Sequence, residues 1–175
     1  QVMYSHIVHL ADIHIRTDRS DEYLSIFDKL FKSIKENTLK PLIVICGDII
    51  HERARITPEV IRKTIYLLNN LGKIGKCILI NGNHDITENN LNRDKFLDVI
   101  PKQESVNYII SSGNYEYDNV RVSVSALDDK KFIKYKPTDK LSIHLGHYTI
   151  NEVSPYIKCQ YSKDDHKGYD FSLLG

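Results

Sequence analysis

Residues 78–85, Ile-Leu-Ile-Asn-Gly-Asn-His-Asp, decide how this chain is read. The apolar run from Cys77 to Ile80 has the length and character of a buried strand. Directly after it the chain places a neutral oxygen ligand (Asn83), an imidazole (His84) and a carboxylate (Asp85) on one tight turn. Two earlier stretches share the design. One is HIVHLADIH, ending on Asp12 and His14; the other is PLIVICGDIIH, ending on Gly47, Asp48 and His51. Three strands are therefore expected to deliver polar residues at their C-terminal ends.

The intervals support convergence. Asp12 and Asp48 are 36 residues apart and Asp48 and Asn83 are 35 apart, enough for one strand–helix–strand crossover of roughly 30 residues each. Crossovers of this kind make parallel strands whose C-terminal ends share one sheet edge, where open α/β proteins place their sites.

Between the motifs, Leu24, Phe27, Leu30, Phe31 and Ile34 recur at helical spacing, with Ser20 as the expected N-cap. Thr57-Pro58-Glu59 opens a second helix that Gly72 is expected to end, and a shorter one is expected from Asn92 to Val99. Beyond residue 105 the rhythm changes to short β-rich runs, VNYIISS, YEYDNVRVSVSAL and LSIHL, punctuated by Gly113-Asn114 and Asp118-Asn119. These pairs suggest a hairpin or meander. The fold class expected is α/β: a two-sheet sandwich, a parallel βαβ half plus a β-rich second sheet, flanked by helices.

Composition bounds the function. The 175 residues suit one domain with a single core, burying about 70% of the extended-chain surface. With 24 Lys and Arg against 23 Asp and Glu, the net charge of +1 supplies no global pull toward nucleic acid or membrane. An anionic substrate must be held locally, by a basic patch or by metal. No apolar run approaches the roughly 18 residues of a membrane span. Cys46 and Cys77 read as small core hydrophobes, and Cys159 leaves an odd count; free thiols place the protein in an intracellular reducing compartment, cytoplasm or nucleus, of a host cell if viral.

The ligand types suit two divalent cations, which need a bridging anion and further N or O ligands on each. Asp48 is the natural bridge, Asp12 and His14 suit the first cation, and the Asn83 amide oxygen suits the second. His84, beside a ligand, is the candidate acid for the leaving oxygen, with Asp85 expected to fix its tautomer.

Together DIH, GDIIH and GNHD resemble the calcineurin-like metallophosphoesterase superfamily, from about residue 5 to the end of the chain. HLADIH, GDIIHERARITPEVI and GNHD are most similar to the nuclease subunit of SbcCD and of the meiotic recombination and repair complex, phage and viral relatives included. The resemblance implies exonuclease and endonuclease activity on DNA, manganese as the expected metal (Mg2+, Zn2+ or Fe2+ as alternatives), dimerisation, and partnership with an SMC-like ATPase of the SbcC type. It also implies a fourth-motif histidine, for which LSIHLGHYTIN offers His144 and His147; the Gly-His-Tyr setting favours His147. A fifth, His-x-His motif would begin at or just after Gly175, so the chain is expected to be truncated there, without the capping and ATPase-binding regions and with one protein ligand fewer per cation.

Other residues have weaker claims. His51 is a candidate for DNA contact or ligand support, and Arg53 and Arg55 for gripping a phosphate. The lysine-rich segment 130–140 suits phosphate contact, or simply solvated surface. His6 and His9 are expected in the core and His166 in solvent. Two other functions fit the same fold: a phosphatase or phosphodiesterase for phosphomonoesters, cyclic nucleotides or phosphoproteins, and a noncatalytic scaffold.

Overall fold

A computed structural model describes residues 3–51, 56–86, 95–153 and 160–175, with Ser20 and Asp21 described by backbone alone. In chain order the elements are β1 (His6–Leu10), α1 (Ser20–Asn37), β2 (Pro41–Cys46), α2 (Pro58–Ile74), β3 (Lys76–Ile80), a 3₁₀ turn (Phe96–Val99), β4 (Val106–Ile109), β5 (Gly113–Tyr117), β6 (Val120–Ser125), β7 (Leu141–Gly146), a second 3₁₀ turn (Lys163–His166) and β8 (Phe171–Leu174). β1 to β4 form a wholly parallel sheet in sequence order. The second sheet, β5-β6-β7-β8, has one antiparallel pair followed by two parallel pairs. The expected α/β sandwich of two sheets with helices is the architecture found.

Alternation along the central strands explains the layering. In β2 every residue is buried. Ile43 and Ile45 face the helices, meeting Phe27, Phe31, Leu67 and Leu71, while Leu42, Val44 and Cys46 face the second sheet, meeting Val122, Val124, Ile143 and Leu145. One strand thus joins two cores. Burial pushes the Cys46 and Cys77 thiols up, Cys77 to about 12, so both are packing groups and not nucleophiles. Among the described residues no helix is long and apolar enough to cross a membrane.

The structure corrects several expectations. α1 has Arg19, not Ser20, at the N-cap position without a side-chain cap bond. Leu24 is exposed, and Tyr23 packs on the core with Phe27, Phe31 and Ile34. α2 does open on the Thr57 cap and Pro58, but it runs past Gly72 to Ile74 with Gly75 at the C-cap, because Ile74 still packs on the helix-side core. Of the third helix the structure shows the single turn Phe96–Val99; residues 92–94 lie outside the described residues.

In the second half, Val106–Ile109 joins the first sheet as β4. Gly113-Asn114 is not a turn but the start of β5, held by the Ser123 hydroxyl donating to Asn114 Oδ1 (2.6 Å). Asp118-Asn119 does form the β5–β6 turn, with Asp118 in the left-handed region at φ 45°. The meander stops there, since β6, β7 and β8 are joined in parallel by long connections. His6 and His9 are exposed, because β1 is an edge strand with only β2 beside it.

Candidate metal centre

The C-terminal ends of β1, β2, β3 and β7 meet at one edge of the sandwich, and the loops that leave them stay laced together. Asp12 N donates to Gly47 O (3.2 Å), His14 N to Asp48 O (2.9 Å) and Ile15 N to Ile49 O (2.7 Å). The register of β1 with β2 is thereby extended into the polar residues. Six described non-glycine residues have positive φ, and three of them are here: Asp12 (52°), His14 (48°) and Asp48 (54°). Each such residue costs about 1–2 kcal/mol. The strain, concentrated where the side chains converge, is typical of functional sites.

Asp48 stands at the centre, 3% exposed. Its Oδ1 accepts from the His84 N–H (2.8 Å), and its Oδ2 lies 3.6 Å from His14 Nε2, 3.4 Å from His147 Nε2 and 3.9 Å from His84 Nε2. Asp12 Oδ1 is 3.7 Å from His14 Nε2, and the Asn83 amide oxygen is 2.9 Å from His147 Nε2. All five residues expected to be ligands are therefore gathered around one carboxylate: Asp12 and His14 on one side of Asp48, Asn83 and His147 on the other.

Two glycines permit this approach. Gly47, at φ 83°, lies against the Gly82 backbone, and a Cβ at either position would overlap its neighbours; at Gly82 the neighbours are Asp48 Oδ1 and N. The glycines in GDIIH and GNHD let two turns close on each other.

Of the two fourth-motif candidates, only His147 reaches the centre. Its Nδ1 donates to Cys46 O (2.8 Å), leaving Nε2 facing Asn83 and Asp48. His144 points to the outer face of the second sheet, where Ser125 Oγ lies 2.8 Å from its Nε2 and Phe132, Tyr148, His166 and Tyr169 pack around it. His166 belongs to that cluster and is half-buried, not free in solvent; its Nδ1 is 2.9 Å from Ser172 Oγ. Burial, reinforced by neighbouring His166, pushes the His144 pKa down to about 3. The unfolded chain would protonate it near 6.5, so between about pH 6.5 and 3 unfolding takes up a proton and stability falls as pH falls. In urea titrations the unfolding free energy is expected to drop through this window by up to about 1.4 kcal/mol per pH unit from this group. His144→Gln should flatten that slope.

The centre's own electrostatics suit cation binding. Burial opposes ionisation of Asp48, but hydrogen bonds from His147 and the His84 N–H outweigh it and hold the carboxyl below its ordinary range. His14 is pushed down by burial, against the opposing pull of Asp48, so its lone pair is available at neutral pH. His147 is desolvated too, yet its bond to Asp48 holds it above the ordinary value in the absence of a cation. The ligand atoms of Asp12, His14 and Asp48 lie within 4.8 Å of one another. Two carboxylates, two imidazoles and an amide oxygen form a mixed N/O set suited to Mn, Fe, Zn or Mg. The residues present fit a pair of divalent cations.

His84 is held differently from the expectation. Its Nδ1 donates to His51 O (2.7 Å), so the tautomer is set by a backbone carbonyl and not by Asp85. Asp85 turns inward, 3% exposed, and accepts from Ile49 N (3.0 Å), Ile50 N (3.2 Å) and Gly82 N (2.9 Å). Burial, with the charge of Asp48, pushes its pKa up to about 6 against the pull of its backbone hydrogen bonds, those from Gly82 and Ile50 above all. Asp85 thus pins GDIIH to GNHD. The His51 ring stacks on His84 (centroids 5.6 Å, 16°), and its Nδ1 lies 3.4 Å from His14 Nδ1; the ligand atoms of His14, His51 and His84 form a second compact group. Arg53 and Arg55 lie outside the described residues.

Supports not read from the sequence complete the frame. The Tyr23 hydroxyl donates to His14 O (2.7 Å) and accepts from Arg16 N (3.1 Å), and buried Lys63 donates to Arg16 O (3.1 Å). Asn81 donates to both oxygens of Asp128 (3.0 and 3.1 Å), which is also paired with Lys95, and Tyr108 donates to Asn81 Oδ1 (2.9 Å). Partners so distant in sequence leave no local signal. β8 returns the chain to this edge, where Gly175 N donates to Gly146 O (3.1 Å).

Comparison with known proteins agrees with this geometry. The uncharacterized protein R555 of Acanthamoeba polyphaga mimivirus is 30% identical over 193 residues, covering 97% of this chain but 14% of that protein, so the chain spans a small part of its relative. The family model for calcineurin-like phosphoesterases matches residues 5–173. A match over nearly the whole chain, including every strand that feeds the centre, shows that the chain belongs to the calcineurin-like phosphoesterase family.

Proposed function

We propose that the chain is the catalytic domain of a manganese-dependent phosphodiesterase that cleaves DNA, with Asp12, His14, Asp48, Asn83 and His147 as metal ligands. The observation that carries the phosphoesterase chemistry is the single buried carboxylate of Asp48, flanked by Asp12 and His14 on one side and Asn83 and His147 on the other. A pair of divalent cations held there would lower the pKa of water and polarise the phosphoryl oxygens.

The remaining work falls to the chain. As the imidazolium, with Nδ1–H held by His51 O, His84 presents Nε2–H to the centre and gives that proton to the leaving oxygen as the P–O bond breaks. Stacking on His51 holds the ring in that orientation. Support for DNA as substrate, for a role in strand-break repair beside an SMC-like ATPase and for dimerisation comes from the likeness of HLADIH, GDIIHERARITPEVI and GNHD to the repair nucleases.

Assays with Mn2+ on linear duplex DNA, bis-p-nitrophenyl phosphate, p-nitrophenyl phosphate and a phosphopeptide test the proposal. Cleavage of the two diesters is expected. Turnover of monoesters without diesters would overturn it in favour of a phosphatase, and no turnover of any substrate in favour of a scaffold. His84→Ala is expected to lower diester cleavage by about 10²–10⁴-fold while Mn2+ binding measured by calorimetry is retained. Unchanged cleavage would remove His84 from the role of acid.

A further inference from the structure

Immediately after His147 the chain turns to a second feature. Tyr148 folds back over Gly146, which its ring covers so closely that any Cβ there would collide with it. The Tyr148 and Tyr161 rings pack against each other, with centroids 4.8 Å apart and tilted by 57°, and together with Ser125 they line a cavity of about 260 Å³. Lys130, Lys131 and Gln160 also line it, and all three are exposed. The cavity lies at the C-terminal ends of β6 and β7, the edge to which β7 also delivers His147.

From this placement we infer that the Tyr148–Tyr161 pocket is a stacking subsite for one base of an unpaired DNA strand whose backbone enters the metal centre. The inference rests on the proposed phosphodiesterase activity and adds to it which form of DNA is held. A volume below the roughly 300–1,000 Å³ of drug-sized pockets suits one small planar group. Aromatic walls offer a face to any base without selecting sequence. Two lysines at the same pocket complement the phosphates on either side of that base. Gln160 offers both an amide donor and an acceptor to a base edge.

The walls are built to hold their shape. Phe132 packs against Tyr161 (centroids 4.6 Å) and Tyr148 (6.3 Å) from behind. Behind Tyr148, buried His144 is fixed by Ser125, whose Oγ also accepts from Ile133 N (2.9 Å). The segment 130–140 therefore does more than present lysines to solvent, since Phe132 and Ile133 anchor it against the second sheet.

Binding is measured by fluorescence anisotropy in EDTA, with a labelled thymidine oligonucleotide and an abasic oligonucleotide of the same length and charge. The wild-type protein is expected to bind the base-bearing strand about tenfold tighter, the lower part of the range for stacking one base. Tyr161→Ala should erase that preference while affinity for the abasic strand and hydrolysis of bis-p-nitrophenyl phosphate stay unchanged; Tyr161→Phe should keep it. The double variant Lys130→Ala/Lys131→Ala should weaken both strands alike and flatten the salt dependence. Equal wild-type affinity for the two strands, a comparison that needs no variant, would overturn the subsite. The subsite is equally refuted if Tyr161→Ala, folded by circular dichroism, keeps the full preference. Failure of the nuclease reading would show separately, as absent DNA cleavage with the base preference intact.

Discussion

Asp48→Asn is expected to reduce phosphodiester cleavage by about 10³-fold or more, a loss of about 4 kcal/mol of transition-state stabilisation, and to abolish high-affinity metal binding. The substitution keeps the side chain's shape and leaves an oxygen to accept the His84 N–H, which now bonds to Oδ1 at 2.8 Å. What disappears is the negative charge faced by His14 and His147 at 3.6 and 3.4 Å. An amide is a weaker ligand and bridges two cations poorly, so both halves of the centre should fail together. Asp12→Asn, at one side only and with half of its side chain exposed, should cost less. Calorimetry with Mn2+ and steady-state hydrolysis of a chromogenic diester check the pair. If Asp48→Asn kept wild-type affinity and rate, Asp48 would not be the shared ligand.

The second large effect is expected at Gly82. A methyl group there would overlap Asp48 Oδ1 and the Asp48 backbone nitrogen, neither of which is the free end of a flexible side chain. GDIIH and GNHD would have to separate. Asp85, which ties Gly82 N to Ile49 N and Ile50 N, would lose part of its clamp. Overpacking of this kind costs about 1–3 kcal/mol, and a backbone obstacle places Gly82→Ala near the upper end. Urea unfolding should show a midpoint lowered by roughly 1–2 M, given slopes of about 1–3 kcal/mol per molar urea. Activity should fall by at least about 10²-fold, because a displacement near 1 Å is enough to misalign Asn83 and His84. An unchanged midpoint and rate would show that the two turns are not packed as described.

These residues also show where sequence reading succeeds and where it ends. Asp12, Asp48 and Asn83 were legible because each sits within a few residues of an apolar strand, and parallel strands joined by crossovers must end on one edge. His147 came from the fourth motif that the family resemblance implies, and its separation from His144 needed the strand's facing, which the burial of His144 against Ser125 shows. The order of the second sheet was not legible. β6, β7 and β8 pair in parallel across long connections, and nothing local distinguishes that from a meander. Asp85 was misread for a related reason. Its partners are backbone N–H groups, which every residue but proline carries, so type and spacing alone could not distinguish a clamp on Ile49 and Ile50 from a partner of His84. His9 and His166 were misplaced because edge strands and aromatic clusters are set by tertiary neighbours: β1 has one neighbouring strand, and half-buried His166 packs against Phe132, His144 and Tyr148.

The proposed function turns on one carboxylate, that of Asp48, serving two cations. Anomalous diffraction from crystals of the protein soaked in Mn2+ tests this most directly. The account predicts two peaks that share Asp48, one also contacting Asp12 and His14, the other Asn83 and His147. A single peak held by His14, His51 and His84 without Asp48, or no peak at this edge at millimolar Mn2+, would contradict it.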